Sequence, residues 1–330
     1  MTLIENIMNS AKESPARIVY PEGKDERIIE AASNAYTLGI AKPILIGDED
    51  EIKQIASEKG LSLTGIIIQS NKEKSFIEKY AVSYSKTRGV REAIAKRLVK
   101  KPLPFAGMMV KEGDADGMVA GVTSATASVI QAASLTIGFK EGMSTPSSFF
   151  IMVLPNFQGE INKTLIFADA AVNVQPNAKE LAEIAVFSGI NAKALINLEP
   201  KIAFLSFSTN GSASHKDADK VIEALKIAKE MNTGFEMDGE MQVDTAIVPR
   251  VAVKKMPDSK VAGKANVLVF PNLDAGNIGY KLVQYLSGAQ AIGPVLQGFA
   301  KPVNDMSRGA SVDDLISVTA ITSVQAQGNN

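Results

Sequence analysis

Short β-branched runs alternate with stretches of helical period along the whole chain, and few folds tolerate that alternation. Arg17-Ile-Val-Tyr20 is followed by a Pro21-Glu-Gly23 turn, and Asp25 to Leu38 then repeats its apolar residues at Ile28, Ile29, Ala32 and Ala35. Pro43 to Ile46 predicts the next strand, Glu51 to Lys59 a helix, and Ile66 to Ile68 a third strand. A strand–helix–strand rhythm of this kind calls for parallel strands covered by helices. The rhythm predicts one or two helices over 77–100, a strand at Met118–Val122 running into Thr123–Thr126, and a helix from Ala127 to Leu135. It continues with strands at Ser147–Leu154, Leu165–Phe167, Ile202–Phe207 and Val267–Phe270. Helices are predicted from Pro176 to Ser188, Lys216 to Met231, Ile278 to Leu286 and Val312 to Ala326. The length of 330 residues admits two domains. A Gly/Ser/Pro-rich turn at Gly138–Ser148 sets the expected boundary, giving residues 1–145 plus 296–330 as one α/β domain and 146–295 as the other, with a cleft between them.

Composition narrows the chemistry. With 35 basic and 36 acidic residues the formal charge is −1, which offers no electrostatic case for nucleic acid or an anionic membrane. There is no Cys, so disulfides, thiolate metal sites and cysteine nucleophiles are all excluded. One His, His215, cannot build a multi-histidine metal site, and no metal site is expected. The longest apolar run, Phe149 to Pro155, falls far short of the ~20 residues that span a bilayer, and the start has no signal-peptide pattern. A cytoplasmic protein is expected.

The densest polar segment is Gln297 to Asp314, predicted as a loop that carries Asn304, Asp305, Ser307, Arg308 and Asp314 just before a helix. Arg308 offers a planar fork suited to phosphate, and Ser307 a hydroxyl. Ser311 and Asp314 have the spacing of a capping box, and a cap and a catalytic role could not easily share one carboxylate. Ser124 and Thr126 follow a strand and open a helix, either as an N-cap or as part of an anion site. Ala275 to Gly279 has glycines three apart but no dinucleotide fingerprint, and the chain has no P-loop. Lys281, one turn into the predicted helix, could meet a phosphate or solvent. His215 reads as a surface or helix-start residue, and Asp238-Gly-Glu240 as an acidic turn.

The runs Asn266–Gln284 and Gly288–Gly309 closely resemble the phosphate acetyltransferase branch of the phosphate acetyl/butyryl transferase family. Ile18–Arg27, Phe167–Asn173, Leu205–Thr209 and Asp238–Gln242 resemble it as well, so the likeness spans nearly the whole chain. The resemblance implies reversible transfer of an acetyl group between CoA and inorganic phosphate through a ternary complex, as in acetate metabolism, with CoA or acetyl-CoA as substrate and no bound cofactor. It implies two α/β domains built like the isocitrate and isopropylmalate dehydrogenases, and a homodimer. It places the catalytic serine, arginine and aspartate on Ser307, Arg308 and Asp314. In that scheme Asp314 is the base for the CoA thiol, Arg308 holds phosphate, and Ser307 hydrogen-bonds the tetrahedral species. Ser124, Thr126, Gln131, Asn304 and Lys281 are the expected substrate-binding residues.

The sequence also departs from the family. Gln131 stands where an arginine is expected, a second expected arginine falls on Ser85, and Ala310 replaces a common cysteine. Arg88 or Arg91 is the expected source of the missing charge. The competing expectations are a phosphate propionyl- or butyryltransferase, a dehydrogenase of the same architecture, and a catalytically weak CoA-binding homologue.

Overall fold

The structure, a computed structural model, describes residues 2–328. The chain divides into two compact units, one running up to Gly142 and resuming at Phe299, the other spanning Met143–Gly298.

The first unit begins with α1 (Leu3–Glu13), β1 (Ala16–Tyr20), α2 (Glu26–Thr37), β2 (Ala41–Ile46), α3 (Glu49–Lys59) and β3 (Ile67–Gln69). It continues through α4 (Lys74–Arg88), α5 (Glu92–Val99), α6 (Pro102–Glu112), β4 (Gly117–Ala120) and α7 (Thr126–Thr136). Asp25 and Asp48 start α2 and α3 by accepting the N–H groups of Arg27 and Glu51, which fixes both helix starts just past a strand. The sequence pattern left α6 unassigned. Its first turn carries Pro102 and Pro104, and it is buried almost all round, so it lacks the amphipathic period that betrays a surface helix.

The second unit holds β5 (Ser147–Phe157), β6 (Glu160–Ala168), α8 (Ala178–Ile196), β7 (Lys201–Leu205), α9 (Lys216–Glu230), β8 (Glu236–Met241), α10 (Val243–Ile247), α11 (Pro249–Lys255), β9 (Val267–Val269), α12 (Leu273–Ser287) and β10 (Gln290–Gln297). The chain then re-enters the first unit as β11 (Val303–Asp305) and α13 (Val312–Gln327).

Three boundaries differ from expectation. α8 starts after Pro176, because Asn177 and Glu180 form a capping box, and it runs on to Ile196 while Leu181 to Leu195 keep burying apolar surface. Asp238 to Glu240 is part of β8 rather than a turn, held parallel to β7. α12 starts at Leu273, capped by Asn272, which puts Lys281 more than two turns into the helix.

In the first unit the sheet order is β11-β4-β1-β2-β3, with every pair parallel. Ile18, Val19 and Tyr20 of β1 are fully buried at its centre. α13 packs on this sheet and is buried on nearly every side. It satisfies its inward hydroxyls one by one: Thr319 bonds the Tyr20 hydroxyl at 2.8 Å, Ser323 accepts the Ala16 N–H at 3.0 Å, and Thr322 accepts the Asn304 amide at 2.8 Å. In the second unit the order is β10-β5-β6-β9-β7-β8, with β10, β5 and β6 antiparallel and the rest parallel. Its core stacks Phe150 on Tyr280 with ring centroids 4.0 Å apart, and sets Phe167 against Phe270 at 5.2 Å.

Candidate active site

In a parallel sheet, ligands gather beyond the carboxyl ends of the strands. In the first unit the segments that leave those ends are Pro21–Asp25 after β1, Gly121–Ala125 after β4, and Met306–Ser311 after β11. Residues about 100 and 281 positions apart in sequence are tied together there.

Glu22 is the first tie. Its Oε2 accepts the N–H groups of Gly121 and Val122 at 2.8 and 2.9 Å. Its Oε1 accepts the N–H groups of Thr123 and Ser124 at 3.0 and 2.7 Å, and the Thr123 hydroxyl at 2.8 Å. Successive N–H groups make an anion cradle, and here the anion is the chain's own carboxylate. Ser124 therefore spends its N–H on Glu22. The N-cap of α7 is Ala125, which offers no side-chain bond, so neither Ser124 nor Thr126 caps the helix.

Arg27 is the second. Its Nη1 donates to the carbonyls of Arg308 at 2.8 Å and Ala310 at 3.2 Å, and its Nη2 to the carbonyl of Val122 at 3.2 Å. Asp25 holds the same guanidinium from the other side, with Oδ2 2.9 Å from Nη2. The Asp25 carboxyl is lowered from its usual range: burial, the largest influence, pushes it up, but the bonds and charge of Arg27 outweigh it. Arg27 thus pins the backbone of the Arg308 loop to the turn after β4.

Around these ties the expected site residues are placed as follows. Ser307 and Arg308 are exposed on the loop after β11, and the Ser307 hydroxyl accepts the Gly309 N–H at 3.2 Å. The Arg308 side chain makes no hydrogen bond or ion pair among the described residues, so its fork is available. Asp314 sits in the first turn of α13 in the capping box that its spacing with Ser311 predicts. The Ser311 N–H and hydroxyl both reach Oδ2, at 2.9 and 2.7 Å, and Oδ1 takes no part in the box. Thr126 turns its hydroxyl to Asp305, with 2.6 Å between Thr126 Oγ1 and Asp305 Oδ2.

Asn304 is placed differently from expectation. Residues 303–305 are a strand rather than loop, and Asn304 is fully buried, its amide donating to Thr322 and Gln325 at 2.8 Å each. A side chain spent in this way holds α13 on the sheet. Lys281 lies on α12 of the other unit, exposed, its Nζ 5.8 Å from the Tyr280 ring centroid. His215 caps α9, accepting the Asp217 N–H on Nδ1 at 3.2 Å.

Beside the Glu22 cradle opens a cavity of about 810 Å³. Lys24, Lys72 and Lys101 supply cations, while Ser124, Ser128 and Gln131 supply hydroxyls and an amide. Leu98, Leu103 and Leu135 give it an apolar wall. Lys24 is paired with Glu51. Of the two expected sources of extra charge, Arg91 stands at the N-cap of α5 and Arg88 is committed elsewhere. Its Nε and Nη2 donate to the carbonyls of Leu135 and Ser134 at 2.9 and 2.6 Å, at the C-terminal end of α7. Those carbonyls lack helical partners and attract a cation there. Ser85, the other departure, bonds the Val90 carbonyl at 2.6 Å. Among the described residues no group of three or more His, Asp or Glu is arranged to hold a metal ion.

A cavity with lysines and an apolar wall, in the unit whose loop after β11 presents an arginine fork and a serine, is the equipment of an enzyme that handles a phosphorylated substrate. Comparison with known proteins narrows this class. Residues 2–323 match the family described as phosphate acetyl/butaryl transferase. A phosphate acetyltransferase of Thermoanaerobacterium thermosaccharolyticum is 47% identical over 330 residues, covering 99% of this chain and all of that protein. One from Acetivibrio thermocellus is 45% identical, covering 99% of each chain. The crystal structure of a phosphotransacetylase from Streptococcus pyogenes superposes with a TM-score of 0.94 at 40% identity, covering 99% of this chain and 98% of that one. The chain belongs to the phosphate acetyl/butyryl transferase family and is an acyltransferase.

Proposed function

We propose that this protein is a phosphate acetyltransferase, which moves an acetyl group reversibly between the thiol of CoA and inorganic phosphate. The observation that carries the reading is the end-to-end likeness to phosphate acetyltransferases, in a chain whose Arg308 fork makes no hydrogen bond or ion pair among the described residues. In the direction of thioester formation, Asp314 takes the thiol proton, and Oδ1 is the oxygen left for it by the capping box. The sulfur attacks the acetyl carbonyl, the bond from that carbon to the phosphate oxygen breaks, and phosphate leaves. Arg308 holds the phosphoryl oxygens and balances charge as they separate, and Ser307 hydrogen-bonds the tetrahedral oxyanion. Direct transfer suits a chain without Cys. The lysine-lined cavity beside the Glu22 cradle suits the phosphate-bearing end of CoA, with Lys72 and Lys101 supplying charge and Leu98 and Leu103 an apolar surface.

Purified protein given acetyl phosphate and CoA is expected to form thioester rapidly, and acetyl-CoA is expected to outrun propionyl- and butyryl-CoA in the reverse direction. One methylene is worth about 1–3 kcal/mol in such a pocket, so the preference should be about 10- to 200-fold. Absence of thioester from acetyl phosphate, or a faster rate with butyryl substrates, would reject the acetyl assignment.

The same reading includes a homodimer working in the cytoplasm. Among the described residues no helix is long and apolar enough to cross a membrane. α12 buries only Gly276, while Ile278, Leu282, Tyr285 and Leu286 stand exposed at helical spacing on one face. An apolar stripe with that period is a surface meant to be covered, and a second copy of the chain covers it symmetrically. Leu282→Glu is expected to turn a sedimenting dimer into a monomer. A native chain that sediments as a monomer would remove the dimer from the reading.

A further inference from the structure

One buried acid has no part in the roles above. Asp305 is 2% exposed and lies on β11 opposite Ala120, two residues before Ser307. Its Oδ2 accepts the Thr126 hydroxyl at 2.6 Å, whereas Oδ1 is buried with no hydrogen-bond partner. A buried carboxylate needs donors for its oxygens. Glu22 has five and Asp305 has one. Two acids in one cluster thus meet opposite surroundings. Burial, aided by the charge of Glu22, pushes Asp305 up to about 6 against the pull of the Thr126 bond. Among the described residues, Glu22 is the charged group that acts on it. β4 and α7 contain no charged residue, and Asp313 and Asp314 of α13 are exposed.

A threonine hydroxyl has one hydrogen to give and two lone pairs. When Asp305 is ionised, that hydrogen is committed to Oδ2, and Thr126 meets any group at the start of α7 only as an acceptor. When Asp305 carries a proton on Oδ2, that proton is donated to Thr126 Oγ1 and the threonine hydrogen is released. We propose that Asp305 is a positioning residue for acyl transfer: its proton decides whether the exposed Thr126 hydroxyl faces a phosphate oxyanion as donor or as acceptor. The inference rests on the acyl-transfer reading above.

The test is the KM for inorganic phosphate with acetyl-CoA, in native protein and in Asp305→Asn, from pH 5.5 to 7.5. Asparagine keeps an oxygen for Thr126 but cannot titrate. Dividing native by variant values at each pH cancels the titration of phosphate itself. The ratio is expected to rise with pH by a factor of about 2–12, the worth of one hydrogen bond, while the kcat ratio stays flat. Thr126→Val should abolish the pH dependence and Thr126→Ser restore it. A second readout needs no turnover. Carboxyl carbon NMR is expected to show Asp305 titrating near pH 6 in native protein and higher in Thr126→Val, since the bond that lowers it is gone. A flat KM ratio in active protein, or an Asp305 midpoint that Thr126→Val leaves unmoved, overturns the proposal. Protein without acyl transfer rejects the reading of the site instead, and the NMR midpoint still decides whether Asp305 and Thr126 are coupled.

Discussion

Arg308→Ala is expected to lower kcat/KM for thioester formation from acetyl phosphate by about 10²–10³-fold while leaving the melting temperature unchanged. Both halves of this expectation come from the same geometry. The Arg308 side chain is exposed and makes no hydrogen bond or ion pair among the described residues, so its removal takes nothing from the fold. The loop keeps its place because the tie runs through the backbone: Arg27 donates to the carbonyls of Arg308 and Ala310, and alanine leaves both carbonyls where they are. On the proposed reading, what is lost is a planar cation carried on a fixed loop to meet a phosphate whose charge grows as the bond breaks. Arg308→Lys keeps the charge but not the fork, and is expected to recover only part of the rate. Steady-state kinetics and a thermal melt on the same samples check both statements. A variant that melts early would show Arg308 to be structural, and a stable variant with native kcat/KM would remove it from the reaction.

How much of this arrangement is legible in the sequence depends on the range over which the cause acts. The helix start at Asp25, the strand at Ile18–Tyr20 and the Ser311–Asp314 box all depend on neighbours within a few residues, and their spacing announces them. β11 escapes the pattern because it is three residues long and two of them, Asn304 and Asp305, are polar. They read as loop until the buried partners Thr322, Gln325 and Thr126 are seen. The Glu22 cradle and the Arg27 clamp bridge about 100 and 281 residues, and no local period encodes such a pairing. The sequence leaves Ser124 open between a helix cap and an anion site, and its N–H meets the Glu22 carboxylate. The bound anion is the chain's own, because consecutive N–H groups after a parallel strand need a partner whether or not a ligand is present. Arg88 misled for a similar reason: a surface arginine near a missing charge is a plausible substitute until the carbonyls at the end of α7 are found to hold it.

The same long-range packing makes one glycine indispensable. Gly121→Ala is expected to cost about 3–5 kcal/mol of stability, in the upper tail of point substitutions, because overpacking and backbone strain act at one position. Gly121 has φ +107°, a conformation that strains any L side chain. A Cβ there would lie 2.3 Å from Asp305 Oδ1, and 2.5 and 2.6 Å from the carbonyl oxygen and nitrogen of Met306. None of these atoms can give way freely. The Met306 N–H is bonded to the Ala120 carbonyl at 2.7 Å, and Asp305 is held by Thr126. Either β11 must part from β4 or the turn that feeds N–H groups to Glu22 must move, and both motions displace the Ser307–Arg308 loop. Gly113→Ala is the matched control, since Gly113 also has a positive φ, +78°, but a Cβ there meets nothing within 4 Å. It should cost about 1 kcal/mol, the conformational penalty alone. Urea unfolding of both variants separates the two contributions. If they lose the same amount, the close approach of Gly121 to β11 is not what holds the loop in place. A larger loss at Gly121, with activity lost in the protein that remains folded, ties the position of Arg308 to a backbone contact that no side chain could replace.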